Sequence, residues 1–203
     1  MSKTDADTTC RKMMAAWDAD EYALALEISH DLLRQDPENY VAWLYHGRIL
    51  SELARYDDAE KALRRTVHLL PDDTLNHGYL HLGHLFKYRG DYEKADQYYR
   101  KALKLAPDDA GRYIFLGALL AVKGDLEAAE QVHRDGTRCS KGDIDEAFLN
   151  LGLVLRAQER YHEALECFAK ALEVTPDYEP ALVGKRDIEK VLEYLADGES
   201  ANG

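Results

Sequence analysis

The chain is poor in features that would narrow its chemistry. It has three cysteines in 203 residues, Cys10, Cys139 and Cys167, an odd number without CxxC spacing. They supply neither a disulfide framework nor a zinc set, and the expected state is three reduced thiols in a cytoplasmic protein. Basic charge is scarce: 26 Lys and Arg against 38 Asp and Glu give a formal net charge of −12. Nucleic-acid binding depends on clustered cations that neutralise phosphates, so no nucleic-acid partner is expected, and anionic membrane surfaces are disfavoured for the same reason. No apolar run approaches the roughly 18 residues of a membrane span. The first residues, MSKTDADTT, show no apolar core of the signal-peptide kind. Catalytic signatures are missing too: no phosphate-cradling glycine loop, no GxSxG and no HExxH. The plentiful carboxylates fall in turns and on polar helix faces, so the expectation is no enzyme activity and no cofactor.

What the chain does have is a period. Gly47, Gly83, Gly117 and Gly152 recur at steps in the mid-thirties, and Ala59, Ala95, Ala129 and Ala164 follow them, each at the same twelve-position offset. An aromatic, Trp43, Tyr79, Tyr113 or Phe148, stands four residues before each glycine. Apolar residues then recur at i, i+3, i+4 and i+7, the helical spacing. The breaks ARYDD, RGDYE, KGDLE and QERYH suit a helix end and the start of the next helix. Pro71, Pro107 and Pro176 close three of the units, because proline cannot continue a helix. Each unit therefore reads as helix, tight turn, helix, stop. The glycine and the alanine are expected where the two helices of a unit cross, since glycine costs a helix about 1 kcal/mol against alanine and needs a packing reason.

The pattern resembles the tetratricopeptide repeat family. The third unit carries its signature in Tyr79, Leu82, Gly83, Phe86, Ala95, Tyr99, Ala102 and Pro107, and the fifth in Phe148, Leu151, Gly152, Leu155, Ala164, Phe168, Ala171 and Pro176. The resemblance implies an all-α, right-handed superhelical solenoid of about five helix-turn-helix units plus a C-terminal capping helix. The expected organisation is a disordered N-terminus over 1–5, an array over 6–196 and a disordered tail over 197–203. The units fall at about 6–39, 40–75, 76–109, 110–144 and 145–178, and the capping helix at 179–196. The first unit is degenerate, with Met13 in the glycine column. The fourth departs as well, with His133 in the aromatic column, Gly136 in the second alanine column and Lys141 in the proline column. The C-terminal end of its second helix is expected to be the weak point of the stack.

In this family the first helix of every unit lines the concave groove. Carried onto this chain, the groove stripe comprises Val41, Tyr45, Arg48 and Glu52, then His77, His81, His84 and Tyr88, then Gly111, Phe115, Ala118 and Val122, then Glu146, Asn150, Leu153 and Ala157. His77, His81, His84 and Tyr88 share one helical stripe, opposite the apolar Tyr79, Leu82, Leu85 and Phe86. Three readings of the histidines stay open: a solvated polar surface, a peptide-recognition surface, or a metal site using His77 and His81. Arg48 could hold a carboxylate through two parallel hydrogen bonds. Tyr45, Tyr88 and Phe115 could anchor a partner, and Asn150 completes the candidate set.

Some members of the family hold acidic C-termini in a two-carboxylate clamp of lysines, asparagines and arginine. The matching columns here hold Tyr45 and Arg48, His81 and His84, then Phe115 and Ala118, so that clamp is absent. The expected function is a protein–protein adaptor or scaffold that holds an extended peptide, acidic or carboxylate-ended, or a partner helix. The alternatives are a structural protein that self-associates through the array and a regulatory subunit of an enzyme encoded elsewhere. The chain is expected as a monomer or weak homodimer.

Overall fold

The computed structural model describes residues 3–201, with side chains described over 8–197. Eleven α-helices follow one another among these residues, with no β-strand. They are α1 (Lys3–Asp18), α2 (Tyr22–Gln35), α3 (Tyr40–Glu52), α4 (Tyr56–Leu69), α5 (Leu75–Arg89), α6 (Tyr92–Leu105), α7 (Ala110–Val122), α8 (Leu126–Gly136), α9 (Ile144–Ala157), α10 (Tyr161–Val174) and α11 (Glu179–Ala201). Ten of them pair into five hairpins and α11 follows as a single helix. Residues 1, 2, 202 and 203, part of the expected disordered ends, lie outside the described residues. The described chain is already helical at Lys3 and still helical at Ala201. Contacts divide the chain into two blocks, Met1–Leu105 with three hairpins and Ala106–Gly203 with two hairpins and α11. Nothing in the repeat pattern marks this division.

Every hairpin turns in the same way. One residue takes the left-handed backbone conformation, at Asp20, Ala54, Gly90, Gly124 and Glu159, with φ between 55° and 83°. The amide just after it returns to the carbonyl five residues back: Glu21 to Ala16, Arg55 to Leu50, Asp91 to Phe86, Asp125 to Leu120 and Arg160 to Leu155, at 2.8–3.0 Å. These bonds satisfy carbonyls that the helix end would otherwise leave open.

The glycine column lies at the helix crossing, and what it meets there is a large side chain. Each glycine faces not the repeated alanine but the side chain one helical turn beyond it. A Cβ on Gly47 would stand 2.7 Å from Leu63, on Gly83 2.4 Å from the Tyr99 ring, on Gly117 2.5 Å from the His133 ring and on Gly152 2.6 Å from the Phe168 ring. The missing Cβ makes room for a flat ring or a leucine wedged between the two helices. The alanines are fully buried separately. The first hairpin obeys the same geometry with the sizes exchanged. Met13 stands in the glycine column and Ser29, at the matching position of α2, in the ring column; both are fully buried, and Ala25 keeps the alanine column.

In the C-terminal block the fourth hairpin is rebuilt. Helix α8 has 11 residues where α2, α4, α6 and α10 have 14. The segment after it is strapped to the loop before α7. The Ala110 amide donates to the Lys141 carbonyl at 2.9 Å, the Ser140 amide to Asp108 at 2.7 Å, and the Ser140 hydroxyl also donates to Asp108. Lys141, in the proline column, thus closes the hairpin with its backbone, as an isolated parallel bridge to Asp109. Ion pairs of Arg134 and Arg160 with Glu130 and Glu163 tie α8 to α10.

Helix α11 occupies the place of a sixth first helix. Ala181, Gly184 and Ile188 are buried against α9 and α10, and a Cβ on Gly184 would lie 2.9 Å from the Phe168 ring. One repeat length on from Leu151, Gly152 and Leu155 stand Lys185, Arg186 and Glu189. A second helix packed there would have to bury three charges, so that face of α11 is ill suited to take one.

Candidate recognition groove

Within the N-terminal block, α1, α3 and α5 touch one another in sequence and present a common face. The helical period aims Arg48 and Glu52 of α3, and His81, His84 and Tyr88 of α5, at that face. Trp17, from the last turn of α1, joins them. Together with the buried Leu63 and Leu85 they line a cleft of about 220 Å³.

Arg48 is held by aromatic rings. Its guanidinium carbon lies 3.8 Å from the centre of the Trp17 ring and 5.0 Å from that of Tyr45. The two rings meet edge to face at 6.1 Å. A guanidinium stacked by its face keeps its in-plane N–H donors available. None of them meets a hydrogen-bond acceptor among the described residues, and Glu52, one turn on and lining the same cleft, makes no ion pair with Arg48. Tyr45 itself is half-buried against Met13, Leu32, Ala16 and Ile49, so it supports Arg48 more than it offers an exposed anchor.

The histidine stripe is not uniform. His77 is exposed at the first turn of α5, His81 and His84 are half-buried, and Tyr88 is 60% exposed. The stripe was expected to stand clear of the packing. Instead, the ring of His84 packs edge to face on Tyr99 at 5.4 Å, and its Nδ1 is hydrogen-bonded to the Tyr99 hydroxyl at 2.8 Å. Tyr99 is the ring that fills the space left by Gly83, so the helix crossing also orients a groove residue. His81 and His84 lie 6.0 Å apart, ring to ring.

Family models described as tetratricopeptide repeat match residues 16–78, 78–109 and 145–178. The chain belongs to the tetratricopeptide repeat (TPR) family. The matched stretches leave out the fourth hairpin, where His133, Gly136 and Lys141 break the pattern. Among curated proteins, human Superkiller complex protein 3 is 32% identical over 75 residues, which is 37% of this chain and 5% of that protein. Among solved structures, the TPR protein TTC0263 of Thermus thermophilus is 21% identical with a TM-score of 0.63, over 90% of this chain and 98% of that one. YrrB, described as a TPR protein with an unusual peptide-binding site, is 22% identical with a TM-score of 0.58, over 91% and 94%. Yeast Tom70 is 17% identical with a TM-score of 0.79, over 95% of this chain and 41% of Tom70. At these identities the structural likeness is one of fold.

The remaining candidate residues of this TPR chain lie in the C-terminal block, where α7 and α9 touch. Phe115 on α7 is half-buried, and the neighbouring stripe is apolar, ending in Val122 at 57% exposure. Asn150 on α9 turns its amide back to the Glu146 carbonyl at 2.9 Å, so it is engaged within its own helix. Burial, with Asp143 and Asp145 nearby, raises the Glu146 carboxyl above the usual range. This face is apolar and acidic, unlike the Arg48 cleft. Among the described residues no group of three or more His, Cys, Asp and Glu side chains is placed to hold a metal ion, and no helix is long and apolar enough to cross a membrane.

Trp17 is a cleft residue that the repeat alignment did not reveal. Its signal was present: aligning the first hairpin on Met13 puts Trp17 in register with Ser51, another cleft residue. Met13 in a column of glycines hid that register.

Proposed function

We infer that this TPR protein is a protein-recognition scaffold whose N-terminal block holds an extended peptide, acidic or carboxylate-ended, or a partner helix, across the shared face of α1, α3 and α5. The observation that carries the reading is Arg48: fixed over Trp17 and Tyr45 in a cleft and without an acceptor of its own among the described residues. A cation held in this way loses little side-chain freedom on meeting an anion. The likeness to YrrB, whose description includes a peptide-binding site, is in keeping with this reading. The scaffold acts by binding and carries no catalytic step, and a cytoplasmic setting suits its three cysteines, none of which forms a disulfide among the described residues. A photo-reactive phenylalanine analogue tests the face directly. Placed at Tyr88 it should crosslink a partner in cells, and placed at Lys61 on α4, outside the cleft, it should not; the opposite pattern moves the binding surface to the other side of the hairpins.

A self-associating role is the second reading. It has one observation in its favour: α11 leaves Val183, Tyr194 and Leu195 at 39%, 79% and 44% exposure.

A further inference from the structure

We propose that the Trp17–Arg48 cleft reads a single, isolated carboxylate of the bound peptide, with Trp17 as the residue that positions Arg48 and Glu52 as the residue that rejects a second acid. The proposal rests on the groove reading above and narrows its ligand.

Three features of the cleft support it. The first is the stacking itself. At 3.8 Å from the Trp17 ring, the Arg48 guanidinium has one face covered and a second ring, Tyr45, at 5.0 Å. Its N–H donors meet no acceptor among the described residues, and as a planar fork they match the two oxygens of a carboxylate. A lysine in its place would keep the charge but lose both the stacking geometry and the paired donors.

The second feature is Glu52. It lies four residues after Arg48 on the same helix and lines the same cleft, yet no ion pair joins them. The stacking holds Arg48 towards Trp17 while Glu52 stays exposed. The cleft therefore carries one fixed cation and one nearby anion. A lone carboxylate can reach the cation, whereas a run of acids or a dianionic phosphate would also meet Glu52. The strongly acidic character of the whole chain, at −12, acts in the same direction.

The third feature is the surroundings. The half-buried Trp17 and the Tyr88 ring, 60% exposed at the rim, form the accessible apolar wall of the cleft, with Leu63 and Leu85 buried beneath it. An uncharged or aromatic residue next to the carboxylate can cover this wall and exclude water from the ion pair, which strengthens it.

The test is a positional-scanning library of acetylated, amidated hexapeptides, read by binding to the full chain. Selected sequences are then remade with Glu, Gln or phosphoserine at the key position, with a neighbouring second Glu, and with a free C-terminal carboxylate in place of the side chain. The expected result is a Glu peptide bound about ten-fold more tightly than its Gln twin, with Arg48→Lys removing most of that ratio. The free-carboxylate form shows whether the chain end can replace the side chain. Trp17→Leu should shrink the Glu-to-Gln ratio, and Trp17→Phe should restore part of it. A purely structural role for Trp17 would weaken both peptides alike and leave the ratio unchanged. The doubly acidic peptide should bind more weakly than the single one, and Glu52→Gln should abolish that difference. Peptides that bind with no preference for Glu over Gln overturn this proposal and leave the groove reading in place. A selection for phosphoserine or for acidic runs also overturns it. No hexapeptide binding overturns this proposal together with the extended-peptide reading of the groove.

Discussion

Each hairpin after the first depends on a matched pair of residues, a glycine on one helix and a side chain on the next that fills the gap. Three of the pairs place a leucine, a tyrosine or a phenylalanine against glycine. The fourth uses His133, which is 1% exposed and whose Nδ1 has no hydrogen-bond partner among the described residues. Burial pushes this imidazole down to about 4. The unfolded chain takes up the proton near pH 6.5, while the folded one refuses it until about pH 4. The folded state therefore loses stability as pH falls through that window, by about 1.4 kcal/mol per pH unit and about 3 kcal/mol in all from this residue. His133→Phe copies the Phe168 pair and removes both the titration and the unpaired nitrogen. Chemical denaturation at pH 7 and pH 5 should show the variant more stable than wild type at both, with the larger gain at pH 5. Equal gains at the two pH values would mean that His133 takes its proton in the folded state. His46, also pushed down to about 4 by burial and then by His30 and Arg55, adds a similar acid sensitivity in the N-terminal block.

At the scale of the element, the five helix–helix turns are one design carried out with different residues. Gly90 and Gly124 adopt the left-handed conformation without a side chain, whereas Ala54, at φ 55°, places a Cβ there. That conformation costs an ordinary residue about 1–2 kcal/mol. Ala54→Gly should therefore raise stability by roughly 0.5–1 kcal/mol, the strain relieved less the entropy added to the unfolded chain. An unchanged or lowered melting temperature would show that the turn carries no such strain. The fourth hairpin shows what stayed hidden in the sequence. His133, Gly136 and Lys141 marked it as irregular and suggested a loose helix end. They did not show that the lost helical turn is replaced by a strap, because the strap consists of backbone bonds and an Asp108–Ser140 contact between positions far apart in the chain. Helix α11 is the opposite case: the charges at Lys185, Arg186 and Glu189 can be read as a polar face once they are set in register with α9.

For the molecule as a whole, the period made the hairpins legible, because the repeats impose a small residue, a turn and a buried alanine at fixed places. The division into two blocks was not legible, since no residue type marks it. The candidate site was legible only in part. Arg48, His81, His84 and Tyr88 were readable as a stripe because helical spacing fixes direction. Trp17 was not, because it belongs to the one hairpin whose glycine column holds a methionine. Phe115 and Asn150 shared the stripe by register, yet they lie in the other block, and Asn150 is committed to its own helix. The face of α1, α3 and α5 is where this TPR chain should hold its partner. Affinity capture followed by mass spectrometry decides this, with wild type set against a Tyr45→Ala, Arg48→Ala, His81→Ala triple variant that keeps its helical circular dichroism. At least one abundant partner should be recovered with the wild type and lost with the variant; an identical set of partners recovered with both would mean that the face is not the binding surface.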